Sequence, residues 1–115
     1  MKFTKMHGAG NDFVIINLIE EKLDPACAPE LAQKLCARRT GIGADGLMLT
    51  ARAEQGGDFK LLFYNSDGSL GEMCGNGARC IARYGFEHGL AGKTQRIETT
   101  AGLVTGERIT DTLYR

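Results

Sequence analysis

Cys74 stands in the run Glu72-Met73-Cys74-Gly75-Asn76-Gly77-Ala78-Arg79-Cys80, and its neighbours decide what a thiol can do there. Two glycines flank an asparagine directly after the cysteine, and apolar residues then recur at helical spacing through Ile81, Ala82 and Tyr84. The pattern reads as a cysteine at the mouth of a helix. The first amides of a helix lack intrahelical partners, and the helix dipole adds partial positive charge beside the sulfur. Both effects favour the thiolate, the form that takes up a proton or attacks carbon. Glycines let a small anion approach the same amides closely. The same letters also fit an inert cysteine opening a core helix.

Four further segments carry turn and polar residues in a fixed order. They are Met6-His7-Gly8-Ala9-Gly10-Asn11-Asp12-Phe13, Arg39-Thr40-Gly41-Ile42-Gly43-Ala44-Asp45-Gly46, Tyr64-Asn65-Ser66-Asp67-Gly68-Ser69 and Glu98-Thr99-Thr100-Ala101-Gly102. With the Cys74 run they follow the order found in diaminopimelate epimerase, and from Met1 to about Gly102 the chain resembles the first half of that family.

The resemblance implies an isomerase that inverts the α-carbon of LL-diaminopimelate to give the meso isomer, a step towards lysine and peptidoglycan. It implies no pyridoxal phosphate, no other cofactor and no metal. Two cysteines on opposite sides of the carbon exchange its proton, and Cys74 is one of them. It donates in the LL-to-meso direction and acts as base in reverse. The Gly75 and Asn76 amides bind the α-carboxylate, and Asn11 and Asn65 bind substrate through their side chains. Read without the resemblance, each asparagine fits equally well an Asx-turn that satisfies only local backbone. The partner cysteine belongs to a C-terminal lobe absent from Met1–Arg115, so one lobe alone is expected to be inactive. Some relatives carry glutamine where this chain has Gly46, so no side chain makes that contact here. A homodimer is implied as well. Two other readings remain: a same-fold isomerase of another small acid, such as a proline racemase-like or phenazine-biosynthesis enzyme, and a non-catalytic carboxylate-binding module.

Fourteen basic and fourteen acidic residues cancel, leaving no basic stripe for nucleic acid. The chain holds 43% hydrophobic and 24% charged residues, the balance of a single soluble domain of 115 residues. Its longest β-branched run, Phe13-Val14-Ile15-Ile16, is too short to span a bilayer, and Lys2 and Lys5 interrupt any secretory signal. A cytoplasmic protein is expected. Four cysteines in that compartment stay reduced, and Cys27, Cys36 and Cys80 read as core or near-core residues. With only His7 and His88, a metal site is not expected. A cysteine–histidine hydrolase would need His7, because His88 lies at the far end of the helix that Cys74 begins.

These groups need a scaffold. Strands are expected at 2–6, 13–18, 47–50, 59–65 and 70–73, with a final hairpin at 96–100 and 103–108. Helices are expected at 29–39, with Pro29 in its first turn, and at 76–87. Gly41-Ile42-Gly43-Ala44-Asp45-Gly46 fits a dinucleotide-loop pattern, but it leaves a helix and enters a strand, the reverse of what that loop requires. Arg79 and Arg83 lie one turn apart and emerge together, as a rim or as a solvated face. The outline is α+β. The resemblance sharpens it to a curved, mostly antiparallel, barrel-like sheet around one central helix.

Overall fold

The run Phe13-Val14-Ile15-Ile16 leaves neither side of a strand polar, so a strand built from it needs cover on both faces. The computed structural model describes residues 3–7, 12–19, 25–37, 41, 43–71, 75–99 and 102–107. Six strands form one curved sheet in chain order: β1 (Thr4–His7), β2 (Asp12–Asn17), β3 (Gly46–Ala51), β4 (Phe59–Asn65), β5 (Thr94–Thr99) and β6 (Gly102–Glu107). Helix α1 (Ala28–Cys36) joins β2 to β3, and helix α2 (Gly75–Glu87) joins β4 to β5. The pairs β1–β2, β3–β4 and β5–β6 are antiparallel. The two pairs bridged by helices, β2–β3 and β4–β5, are parallel.

That alternation decides where the helices go. Crossovers between parallel strands are almost always right-handed. Both crossovers here step the same way across the sheet, but β4 runs opposite to β3. Two right-handed crossovers of that kind fall on opposite faces. Val14, Ile16, Leu47 and Leu49 accordingly pack with Ala28, Ala32 and Cys36 of α1. Their alternate neighbours Phe13, Ile15, Met48, Leu61 and Phe63 pack with Cys80, Ile81 and Tyr84 of α2. Ala28, Ala32 and Cys36 repeat every four residues, so a stripe of small side chains lets α1 lie close to the sheet.

Expectation and structure differ in a few places. The sheet is open among the described residues, with β1 and β6 at its edges and a helix on each face, rather than wrapped around α2 alone. The expected helix 29–39 starts earlier and ends at Cys36, with Arg38 and Arg39 outside the described residues. The return strand at 70–73 reduces to one bridge, Tyr64 with Leu70, and Glu72 and Met73 are outside the described residues. Cys36 and Cys80 are buried, but Cys27 is exposed, a correction to its core reading. It falls in the 3-10 turn Pro25–Cys27 that leads into α1, ahead of the stripe facing the sheet.

The β3–β4 connection is held by one carboxylate. Glu98 on β5 is buried and accepts the backbone N–H groups of Glu54, Gln55 and Gly57, each at 2.8 Å. The N–H of Glu54 is the largest influence holding its carboxyl below the usual glutamate value, followed by that of Gly57. Gly57 must lack a side chain, since a Cβ would stand 2.9 Å from the Arg96 carbonyl and from Glu98 Cγ. No helix among the described residues is long and apolar enough to cross a membrane.

Candidate functional site

Strand register brings the sequence motifs to one end of the sheet. His7 at the close of β1 faces Asp12 at the start of β2, Phe13 faces Gly46 at the start of β3, and Gly46 faces Asn65 at the close of β4. The start of α2 lies at this end too. Gly85, late in α2, sits over Phe59 at the beginning of β4, where a Cβ would approach the ring to 2.8 Å. A helix of 13 residues is about as long as a strand of seven, roughly 20 Å, so Gly75 lies towards Asn65. Asn11 and Cys74 are outside the described residues. Of Gly75 and Asn76, only their place as the first two residues of α2 is described.

Asn65 is exposed and sits in a tight hairpin connection. Its N–H donates to the Ser69 carbonyl at 2.8 Å, its carbonyl accepts from the Gly68 N–H at 2.9 Å, and Gly68 has φ +91°. A three-residue loop ending in a left-handed glycine makes such a turn. Its side chain Nδ2 donates to Ser69 Oγ at 3.0 Å. Ser69 in turn gives its hydroxyl to Asp67 Oδ1 at 2.6 Å, and its backbone N–H reaches the same oxygen at 2.9 Å. These two bonds, the hydroxyl first, hold the Asp67 carboxyl below its ordinary value. Gln33 of α1 donates to the Asp67 carbonyl at 2.7 Å and fixes the turn against the helix. The Asx-turn expected of an asparagine here belongs to Asp67 instead.

Beneath the turn lies an aromatic floor. Phe63 meets Phe13 edge-on, with ring centroids 5.9 Å apart and planes at 66°. Two glycines make room for it. A Cβ on Gly46 would lie 3.0 Å from Phe63 Cζ, and one on Gly71 only 2.5 Å from Phe63 Cδ1 and 3.0 Å from Asn65 Oδ1. A side chain at Gly46 would therefore press on this phenylalanine. Asp12 and Asp45 lock the starts of β2 and β3 reciprocally, each carboxylate accepting the other's N–H, at 3.1 and 3.0 Å. Lys5 adds an ion pair to Asp12 at 3.4 Å. Asp12, conspicuous in its motif, thus serves the scaffold.

The remaining candidates lie elsewhere. His88 hydrogen-bonds the Tyr84 carbonyl at 3.0 Å and stacks on the Tyr84 ring at 3.9 Å. Arg83 pairs with Glu87 at 2.7 Å on an exposed face. An open cleft of about 360 Å³ between β1 and the later half of α2 is lined by Lys5, His7, Arg83, Glu87 and His88 among others, and Asn65 is not among its described lining residues. The described residues contain no cluster of three or more groups suited to a metal ion. Sequence reasoning missed Phe63 and the Asp67–Ser69 pair. The run Ser66-Asp67-Gly68-Ser69 was legible as a turn, but nothing local said which side chain it would hold.

An open, curved six-stranded sheet with a helix on each face is an architecture that this chain shares with solved proteins of low sequence identity. The chain superimposes on a methylitaconate-delta-isomerase with a TM-score of 0.71 at 13% identity, covering 96% of this chain and 35% of that one. A phenazine biosynthesis protein of the PhzF family from Enterococcus faecalis gives 0.63 at 16% identity, covering 85% and 34%. At such identities the likeness concerns fold alone. Sequence goes further: the sequence model of the family described as diaminopimelate epimerase matches residues 3–112, and the chain belongs to that family. It is 52% identical over 105 residues to the diaminopimelate epimerase of Moorella thermoacetica, covering 90% of this chain and 37% of that protein. Against the Aquifex aeolicus enzyme it is 45% identical over 114 residues, covering 93% and 41%. The chain thus spans about two fifths of the length of these curated relatives.

Proposed function

We propose that this chain supplies one half of the active site of an epimerase that interconverts LL- and meso-diaminopimelate by proton transfer between two thiols, without cofactor or metal. The observation that carries the reading is the convergence of Asn65, the start of β2 and the first turn of α2 at one end of the sheet, in a chain matched to this family from residue 3 to 112. An α-proton beside a carboxylate is barely acidic, so its removal needs a poised base, an acid opposite and donors for the charge that develops. One thiolate takes the α-proton, and the electron pair of the broken C–H bond spreads into the carboxylate. The opposite thiol then delivers its proton to the other face. Cys74 is the donor in the LL-to-meso direction and the base in reverse, and the amides of Gly75 and Asn76 receive the α-carboxylate. Asn11 and Asn65 orient the substrate. The second cysteine and the opposite wall come from a further lobe, and the assembled enzyme is a cytoplasmic homodimer.

The test uses this chain joined to the remaining length of the Moorella thermoacetica relative. Exchange of the diaminopimelate α-proton in deuterated water is expected in the chimera and is expected to fall on the order of 10³-fold or more in Cys74→Ala, since groups that act as a unit fail together. The isolated 115-residue chain is expected to show none. Undiminished exchange in Cys74→Ala would remove the assignment.

A further inference from the structure

Ser69 stands between a carboxylate and an amide, and counting its one proton decides how that amide is turned. A serine hydroxyl carries one O–H and two lone pairs. The Ser69 hydroxyl lies 2.6 Å from Asp67 Oδ1, and a carboxylate can only accept, so the proton points to Asp67. Ser69 Oγ is left with lone pairs alone towards Asn65 at 3.0 Å, and only an N–H can meet them. The amide of Asn65 must therefore present Nδ2 to Ser69. Its Oδ1 turns the other way, over Gly71, where the absent Cβ would have stood 3.0 Å from it. No donor among the described residues is hydrogen-bonded to that oxygen.

We propose that Asp67 and Ser69 are positioning residues that fix the rotamer of the Asn65 amide, so that Asn65 offers its carbonyl oxygen to a hydrogen-bond donor on the ligand. An unaided asparagine accepts a carboxylate or an ammonium equally well, by turning over. This one is set as an acceptor for an N–H group. Gln33 holds the Asp67 carbonyl at 2.7 Å, and Gly68 lies so close to α1 that a Cβ would stand 2.7 Å from the Pro29 carbonyl. The relay is thereby built onto the helix and does not depend on bound ligand for its shape. Its meaning for catalysis rests on the epimerase reading, but the orientation of the amide does not.

The two ideas separate in two measurements, one on the 115-residue chain and one on the chimera. Side-chain amide NMR of ligand-free protein reads the relay, and titration with diaminopimelate of the chimera reads the function. In wild type, the Hδ2 proton of Asn65 facing Ser69 is expected to exchange with water about fivefold more slowly than an unbonded amide, the equivalent of one ordinary hydrogen bond. Ser69→Ala is expected to abolish that protection and Ser69→Thr to restore it. In Asp67→Ala the freed hydroxyl can also donate to Oδ1, so the amide is expected to populate both orientations. Backbone signals of β2, β3 and α1 report whether the fold survives each change. A folded Ser69→Ala chain whose Asn65 amide matches wild type would overturn the proposal, as would a wild-type amide with no protection. Weaker diaminopimelate binding in Ser69→Ala with rescue in Ser69→Thr would tie the relay to the site. Unchanged binding, with the NMR result as expected, would overturn the ligand-facing role assigned to Oδ1.

Discussion

The two ends of the sheet use the same device to different ends. At the far end, Glu98 accepts three backbone N–H groups of residues 54–57, and both of its oxygens are engaged by the protein. At the near end, Asp67 also gathers donors, but one of them is a hydroxyl that passes the constraint on to Asn65. The first arrangement is closed: removing it loosens a loop. The second leaves an asparagine held in one pose with an oxygen directed away from its anchor. A carboxylate that binds only backbone fixes the chain, whereas one that binds a side chain can orient a functional group. Both ends have apolar support, Phe13 and Phe63 beneath the near-end turn and Phe59 and Ile97 beside Glu98 at the far end.

The sharpest way to break this contrast is to remove the floor. Phe63→Ala is expected to cost about 3–5 kcal/mol, as aromatic truncation in a packed core does, measured as a fall in urea midpoint. A cost under about 1 kcal/mol would mean the ring is not a support. Gly71→Ala should follow at about 1–3 kcal/mol, because its Cβ would enter the Phe63 ring. Combining it with Phe63→Leu should recover part of that loss, and strict additivity would refute the steric account.

Glu98 sharpens the comparison through pH. Its folded carboxyl titrates below the unfolded value of 4.5, so its stabilisation is full above that value and is lost as pH falls through the lower folded one. Glu98→Gln should lower stability near neutrality and flatten the acid limb of a midpoint-against-pH curve. An acid limb as steep as wild type would show that other carboxylates govern it. The smallest effect belongs to Glu87→Gln on the exposed face of α2. Losing the Arg83 pair should change stability by about 0.3–0.5 kcal/mol and less in high salt. A larger change would mark that face as more than solvated.

Much of the scaffold was legible in the sequence. The β-branched run at Phe13 to Ile16, the helix with Pro29 in its first turn and the glycine turn at Gly68 all express local rules of periodicity and dihedral freedom, and each appears where those rules put it. The order of the motifs was enough for the family, because motif order is a property of the chain itself. What the chain could not state were relations between residues far apart. Two faces for two helices follow from strand direction, which no single segment encodes. Glu98 reaches residues 41 to 44 positions earlier, and Gln33 holds a turn 34 positions later. Asn65 could be read as a polar residue at a turn, with either end of its amide outward. Only the packed turn, in which Ser69 gives its one hydroxyl proton to Asp67 and so must accept from Asn65, decides between them, because a hydrogen bond has a direction and its donor must come from somewhere in space.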